Sequence, residues 1–314
     1  MSRPTIILIC LLLIAIPTIP PNTVLANTQP PTDIHNASAN FTIIILPDTQ
    51  IYSAYLPILF LIQTHWIVTH HTSLNIVYVA HEGDIVNNHN NTLQWLCASL
   101  SMRLLENPIA THNPSGIPYS VLPGNHDKPT TNYNHYFGSN RFATKDYYGG
   151  HCDDTNNASY TLFTADGLDF IAVSLEYDPT NAEIAWTDHL LQTYSDRRAI
   201  LISHDLLALN ASWDPAGQRV YDTVKGHPNL FLMLCGHNHG ENQRSDTYDN
   251  HTVTTLLADY QAYPFGGEGY LRILRFIPDE NQVQVTTYSP ALNKYETDND
   301  SRFVLFYQMT GGQS

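Results

Sequence analysis

Five short polar motifs in this 314-residue chain carry side chains of the types that can bind divalent cations. They occupy residues 47–50 (PDTQ), 82–87 (EGDIVN), 123–127 (PGNHD), 203–205 (SHD) and 236–240 (GHNHG). Carboxylate, imidazole and amide groups are the ligands that hard and borderline divalent ions accept. Two aspartates, three histidines, an asparagine and a glutamine can be drawn from the motifs, enough for two ions that share one carboxylate. Each motif alone is weak evidence, but the five in this order predict a metal centre.

Each motif lies at the carboxyl end of a short apolar run that is predicted to form a buried strand. These runs are residues 41–46, 75–80, 119–122, 199–203 and 231–235. In an open α/β sheet, binding sites form in the crevice outside the carboxyl ends of the strands. The sequence therefore predicts that five strand ends bring the motifs together.

Further elements are predicted between and after these strands. Helices are indicated at 55–70, 93–105 and 181–194, and more strands at 168–175, 269–276, 282–288 and 302–307. An α/β pattern with added hairpins favours two mixed β-sheets stacked face to face, with helices on the outer faces. Since no shift in composition marks a boundary, residues 41–310 are predicted to form one domain.

The composition is that of an acidic globular protein. Hydrophobic residues make up 43% of the chain, and acidic residues outnumber basic ones 29 to 14. An excess of negative charge disfavours binding to extended nucleic acids and to anionic membrane surfaces. The oligomeric state is left open by these observations.

The first 26 residues are predicted to be a signal peptide. Arg3 precedes an unbroken apolar run at 6–16, and residues 24–26 (VLA) form a small-residue cleavage site. A run of this length is too short to span a bilayer, for which roughly 20 residues are needed. A Pro/Thr/Asn-rich linker is predicted at 27–40. We therefore expect a mature chain that is secreted or periplasmic and not membrane-bound, with an uncleaved anchor as the alternative interpretation.

The motifs, taken in order, resemble those of the calcineurin-like metallophosphoesterases. That family's pattern is Asp-x-His, Gly-Asp-x-x-Asp, Gly-Asn-His-Asp/Glu, a lone His, and Gly-His-x-His. The resemblance covers the chain from about Phe41, and residues 258–261 (ADYQ), 266–267 (GG) and 288–290 (YSP) are similar to a group of exported bacterial members. It implies an α/β/β/α sandwich and the hydrolysis of a small phosphorylated substrate by hydroxide that two metal ions activate.

The resemblance also implies a role for each motif residue. One divalent ion would be held by Asp48, Gln50 and His239, the other by Asn125, His204 and His237, with Asp84 bridging the two. The ions would be manganese, iron or zinc. In the same pattern, His126 would stabilise or protonate the leaving oxygen, and Asp127 would orient the His126 ring.

Two positions depart from the family's commoner pattern. Gln50 stands where histidine is usual, and Asn87 stands where the second aspartate is usual. A neutral amide oxygen is a weaker donor than imidazole towards the softer ions, so the first metal position is expected to bind its ion less tightly. The aspartate equivalent to Asn87 does not usually bind the metal directly, although such supporting residues still affect metal affinity.

Two other functions remain open at this point. A nucleotide phosphodiesterase or nuclease would use the same residues, and the acidic charge disfavours only a long nucleic acid. A degenerate, non-catalytic metal-binding surface protein would explain Gln50 and Asn87, although the retained His126 argues against it.

Overall fold

The computed structural model describes residues 39–310. The predicted signal peptide at 1–26, and the predicted linker up to residue 38, lie outside the described residues. Within the described part of the chain, none of the helices has the length and apolar character that crossing a membrane requires.

The strands of the described region are β1 (Phe41–Leu46), β2 (Ile76–His81), β3 (Tyr119–Ser120), β4 (Tyr148–His151), β5 (Ser159–Ala165), β6 (Leu168–Leu175), β7 (Arg198–Ser203), β8 (Leu230–Cys235), β9 (Gly240–Tyr248), β10 (His251–Asp259), β11 (Leu271–Ile277), β12 (Gln282–Ser289), β13 (Lys294–Tyr295) and β14 (Arg302–Phe306). The helices are α1 (Gln50–Tyr55), α2 (Pro57–His70), α3 (Thr92–Met102), α4 (Pro108–Thr111), α5 (Thr131–Phe137), α6 (Ser139–Phe142), α7 (Asn181–Thr193) and α8 (Pro215–Val224). A helical turn at Pro264–Gly267 and a 3₁₀ turn at Pro278–Glu280 complete the elements.

Two seven-stranded mixed sheets form the centre of the fold. The first sheet has the order β13-β12-β11-β1-β2-β3, with β14 also paired to β12. The second sheet has the order β4-β5-β6-β7-β8-β10-β9. Strands β1, β2 and β3 run parallel, as do β6, β7, β8 and β10, so each sheet gathers several carboxyl ends at one edge.

The side chains of β1 show why the sheets stack. Ile43 and Ile45 belong to the inner hydrophobic cluster, where they join Phe170 and Ile200 of the second sheet. Ile44, between them, belongs to the outer cluster on the opposite face. Since successive side chains of a strand point to opposite faces, the continuous apolar run at 43–46 must be covered on both sides.

Helices cover the outer face of each sheet. Phe60 of α2 and Trp95 of α3 are fully buried in the outer cluster of the first sheet. Ile184 of α7 and Val220 of α8 are buried in the corresponding cluster of the second sheet. Burying one such side chain contributes about 1.5–3 kcal/mol. The predicted sandwich of two mixed sheets between helical layers is confirmed.

The predicted helix at 55–70 is confirmed as α2, with Pro57 in its first turn, and a short helix that was not predicted, α1, precedes it. Helix α1 ends at Tyr55, α2 begins at Pro57, and Leu56 between them has an extended φ of −138°. The proline ring disfavours the helical conformation of the residue before it, which explains the break. Strands β4, β5, β9 and β10 were not predicted individually, because β9 (GENQRSDTY) in particular has no apolar alternation.

Candidate metal centre

The motifs of the two sheets meet at the carboxyl ends of their parallel strands. Asp48 follows β1 in the first sheet, and His237 follows β8 in the second. The backbone N–H of His237 donates to Asp48 Oδ1 at 3.3 Å and to Oδ2 at 3.2 Å. His204, which follows β7, donates from Nδ1 to the carbonyl oxygen of Glu82 at 2.9 Å. The polar residues therefore form one buried cluster across both sheets.

The local backbone at this cluster is unusual for the residues that adopt it. Asp48, Asp84 and His237 have φ values of 25°, 47° and 68°, in the left-handed region that side-chain-bearing residues seldom occupy. Such conformations cost about 1–3 kcal/mol each and persist where the surrounding structure enforces them, often at functional sites.

Two motif glycines allow the carboxylates to lie so close to the neighbouring backbone. A Cβ atom at Gly124 would stand 2.1 Å from Asp84 Oδ1, and one at Gly236 would stand 2.0 Å from Asp48 Oδ2. Both distances are far below van der Waals contact, so any larger residue would displace the carboxylate.

The second predicted ligand set converges on one point. Ligand atoms of Asp84, His204 and His237 all lie within 4.8 Å of one another. His204 Nε2 is 3.2 Å from His237 Nδ1, 3.5 Å from Asp84 Oδ1 and 3.0 Å from Asn125 Oδ1. Since the Nδ1 proton of His204 is used by the Glu82 carbonyl, its Nε2 can offer a lone pair to a cation.

The first predicted ligand set is less compact. Gln50 donates from Nε2 to Asp84 Oδ2 at 3.0 Å, while its Oε1 is buried and has no hydrogen-bond partner. A buried acceptor without a partner calls for an explanation, and a cation beside Oε1 would provide it. The His239 side chain is 55% exposed, and its Nε2 lies 2.7 Å from Gln261 Nε2 rather than in contact with Asp48 or Gln50.

Negative charge accumulates in this buried region. Burial raises the pKa of Asp48 well above its usual value, and the charges of Asp259, Asp84 and Glu82 raise it further. Both carboxylate oxygens of Glu82 are buried without a hydrogen-bond partner. Like charges that are withdrawn from water destabilise one another unless cations offset them. The donor types, the unpartnered oxygens and the charge thus fit divalent cations.

The pKa of His204 is also shifted by the neighbouring carboxylates. Burial disfavours its charged form, but the adjacent Asp84 carboxylate outweighs this effect and raises the pKa of His204 to about 9. Burial alone would raise the pKa of Asp84, whereas the positive charge of His204 lowers it overall. A metal-binding imidazole is neutral, so a cation at this position would replace the proton that His204 otherwise holds.

The carboxylate of Asp127, which was predicted to orient the His126 ring, accepts hydrogen bonds from backbone groups. Both carboxylate oxygens of Asp127 accept backbone N–H groups, which come from Ile85 (3.0 Å), Val86 (3.0 Å) and Gly124 (2.9 Å). Asp127 therefore ties the turns after β2 and β3 together.

The His126 ring is held instead by a backbone carbonyl. Its Nδ1 lies 3.1 Å from the carbonyl oxygen of Asn87, which can only accept, so Nδ1 carries a proton. The backbone N–H of His126 donates to Asp84 Oδ1 at 2.9 Å, which places the residue beside the predicted bridging carboxylate. Asn87 thus contacts His126 through its backbone carbonyl, and this contact does not depend on the identity of the Asn87 side chain.

A second histidine fixes the turn that carries Asp48 and Gln50. His81 Nδ1 accepts the N–H of Gly83 at 3.2 Å, so its Nε2 carries the proton and donates to Thr49 Oγ1 at 2.9 Å. Burial lowers the pKa of His81 to about 3, which keeps the ring neutral.

Three residues outside the five motifs lie against the cluster. Asp259 and Gln261 contact the His239 ring, and the Tyr177 ring centroid lies 5.8 and 5.3 Å from those of His204 and His237. Asp259 and Gln261 both had a detectable signal, since they lie in the stretch 258–261 that contributes to the family resemblance.

Comparison with known proteins agrees with the fold. No family model matches the chain. The uncharacterized protein YvnB of Bacillus subtilis strain 168 is 37% identical over 282 residues, which are 85% of this chain and 21% of YvnB. The chain thus spans about a fifth of the length of this curated relative.

Two solved structures are similar across most of the chain. A dimetal phosphatase from Danio rerio has a TM-score of 0.54 at 13% identity, with 87% of this chain and 100% of that protein covered. A purple acid phosphatase from yellow lupin (Lupinus luteus) has a TM-score of 0.55 at 12% identity, with 86% of this chain and 54% of that protein covered. Identity at this level shows a shared fold. The chain therefore has the calcineurin-like metallophosphoesterase fold that its motifs predicted.

Proposed function

We propose that this chain is a metal-dependent phosphoesterase that hydrolyses a small phosphate ester at a two-cation centre. The observation that carries the proposal is the position of Asp84 between the two ligand sets. Its Oδ2 accepts from Gln50 at 3.0 Å, and its Oδ1 lies 3.5 Å from His204 Nε2. One carboxylate that presents an oxygen to each set is what a pair of cations needs as a bridge.

The remaining ligands divide between the two positions. Asp48, Gln50 and His239 would hold the first cation, and Asn125, His204 and His237 the second. Bound divalent cations at such a site lower the pKa of water and offset charge on phosphoryl oxygens. For His239 to take part, its ring nitrogen has to leave Gln261, a rearrangement that is available to an exposed side chain.

His126 would supply the proton for the leaving oxygen. With Nδ1–H donated to the Asn87 carbonyl, Nε2 is the ring atom that can hold and release a second proton. The ring is partly exposed, so a bound ester could reach it. A side chain in hydrogen-bond reach of the leaving group typically contributes 10²–10⁴-fold to the rate.

The proposed substrate class is supported by the net charge, and the proposed location is supported by the N-terminal sequence. With a net charge of −15, the protein would repel a long polyanion more than a small ester bound by cations. We also propose that residues 1–26 direct export and that the mature protein acts outside the cytoplasm. Expression of the full chain, followed by N-terminal sequencing of the exported form, tests this part of the proposal.

The function is tested by metal loading and turnover together. Purified protein would be stripped of metal, reloaded with manganese, zinc or iron in turn, and assayed on an aryl phosphate monoester and diester. Two ions per chain with turnover of either ester are expected. Activity on a nucleotide diester alone would favour the phosphodiesterase alternative, and bound metal without any turnover would favour the non-catalytic binder.

Gln50 predicts an asymmetry between the two positions. Because an amide oxygen suits manganese or magnesium better than zinc or iron, the first position should lose its ion to mild chelation first and be refilled best by manganese. Gln50→His should increase retention of zinc and iron. Metal analysis after dialysis against chelator measures both effects, and equal retention at the two positions in both proteins would contradict a ligand role for Gln50.

A further inference from the structure

A sixth strand end reaches the metal centre, at β10. This strand runs parallel to β8 with Leu257 opposite Cys235, so its last residue, Asp259, lies level with the start of the GHNHG motif. Its antiparallel pairing with β9 places Asp259 opposite Gly240, the residue after His239. The two ladders thus put a carboxylate beside the first metal position.

The Asp259 side chain is completely buried and held in place. Its Oδ1 accepts the backbone N–H of Gln261 at 2.8 Å, and its Oδ2 accepts Gln261 Nε2 at 2.9 Å. Oδ2 also lies 3.8 Å from His239 Nε2. Gln261 Nε2 is in contact with both the carboxylate and the ring, so a single amide sets the position of both groups.

The charge of Asp259 acts on the same place that the first cation would occupy. Asp48 Oδ2 lies against Gly236, the residue after the β8 partner of Leu257, so Asp48 and Asp259 both lie at the carboxyl end of β8. The hydrogen bonds to Asp259 come from the neutral groups of Gln261, and the His239 ring, 3.8 Å from Oδ2, offsets the negative charge only when that ring is protonated. A buried carboxylate in this situation is stable when it coordinates or faces a metal ion.

We propose that Asp259 belongs to the first metal position, where its carboxylate supplies the anionic oxygen that Gln50 lacks and Gln261 fixes it together with the His239 ring. This inference rests on the two-cation centre of the proposed function. It explains how a chain with a neutral amide in place of a metal-binding histidine can still hold a divalent cation there. The first position would then be richer in oxygen donors, which manganese and magnesium favour.

The test measures how metal-free protein binds Mn²⁺. Titration calorimetry gives the number of ions and their affinities, and electron paramagnetic resonance detects coupled manganese pairs. Wild type should bind two ions and show the coupled signal. Asp259→Asn should weaken the first position roughly 10–100-fold and lose the coupled signal, while the second ion stays bound. Asp188→Asn is the matched control, because Asp188 pairs with His227 on the surface and should bind metal as wild type does.

A rescue variant separates charge from shape. Gln50→Glu in the Asp259→Asn background places an anionic oxygen where Oε1 now lacks a partner and should restore most of the first-position affinity. If Asp259→Asn does not fold, Gln261→Ala removes the amide contact and should weaken the same position. If Asp259→Asn binds both ions with wild-type affinity, the inference is overturned while the proposed function stands. The same holds for Gln261→Ala where that variant takes the place of Asp259→Asn. Wild type that binds no Mn²⁺ would instead refute the proposed function itself.

Discussion

Asp84→Ala is expected to abolish hydrolysis of an aryl phosphate and to leave at most one cation per chain. The carboxylate faces Gln50 with one oxygen and His204 with the other, so its removal takes a ligand from both positions at once. Loss of one charge-stabilising group costs roughly 10²–10³-fold in turnover, and a shared ligand should cost at least the upper value. Turnover and bound metal, measured on the same preparation, give the result.

Thermal unfolding with and without Mn²⁺ provides the folding control. A ligand that binds only the folded state raises the unfolding temperature, so wild type should be stabilised by the ion and Asp84→Ala much less. Asp84→Asn keeps an oxygen that can accept the His126 N–H, now 2.9 Å from Oδ1, and tests charge without loss of shape. Near-native activity in both variants would show that the bridge is not at Asp84.

His126→Ala is expected to lower kcat by roughly 10²–10⁴-fold with little change in bound metal. The ring is anchored to the Asn87 carbonyl, and only the backbone N–H of His126 contacts Asp84, so alanine preserves that contact. Steady-state kinetics and metal analysis of the purified variant measure the two quantities. Loss of metal together with activity would identify His126 as a ligand.

The leaving group distinguishes proton donation from general structural damage. An aryl oxide departs readily without a proton, whereas an alkyl oxide needs one. The loss of rate in His126→Ala should therefore be much larger for an alkyl phosphate than for a nitrophenyl phosphate. An equal loss for both esters would mean that the ring positions the substrate and does not protonate the leaving oxygen.

The strands that carry the motifs could be predicted because their signals are local. Residues 41–46 and 168–175 form strands with the predicted bounds, since each is a short and mostly apolar run. Successive apolar residues within these runs need cover on both faces of the sheet, and the α/β pattern with added hairpins predicted the stacked sheets. The helix break at Leu56 was also readable in principle, because the proline that causes it is the next residue.

For the candidate site, the sequence determined the types of donor and the strand ends that present them. The motif order resembled one family's pattern, and the structure places Asp84, His204 and His237 within 4.8 Å of one another although they are far apart in the chain. Which ring nitrogen faces the cluster was not readable from the sequence.

Only the tertiary structure decided which groups hold these donors. Asp127 neighbours His126 in sequence, yet its oxygens turn to three backbone N–H groups, while a carbonyl from another loop holds the His126 ring. Asp259 reaches the site because β10 pairs with β8 and β9, and the polar sequence of β9 gives no sign of that pairing. Sequence patterns report each segment's own periodicity, whereas these contacts depend on sheet register and on which backbone groups remain unpaired after the sheets form.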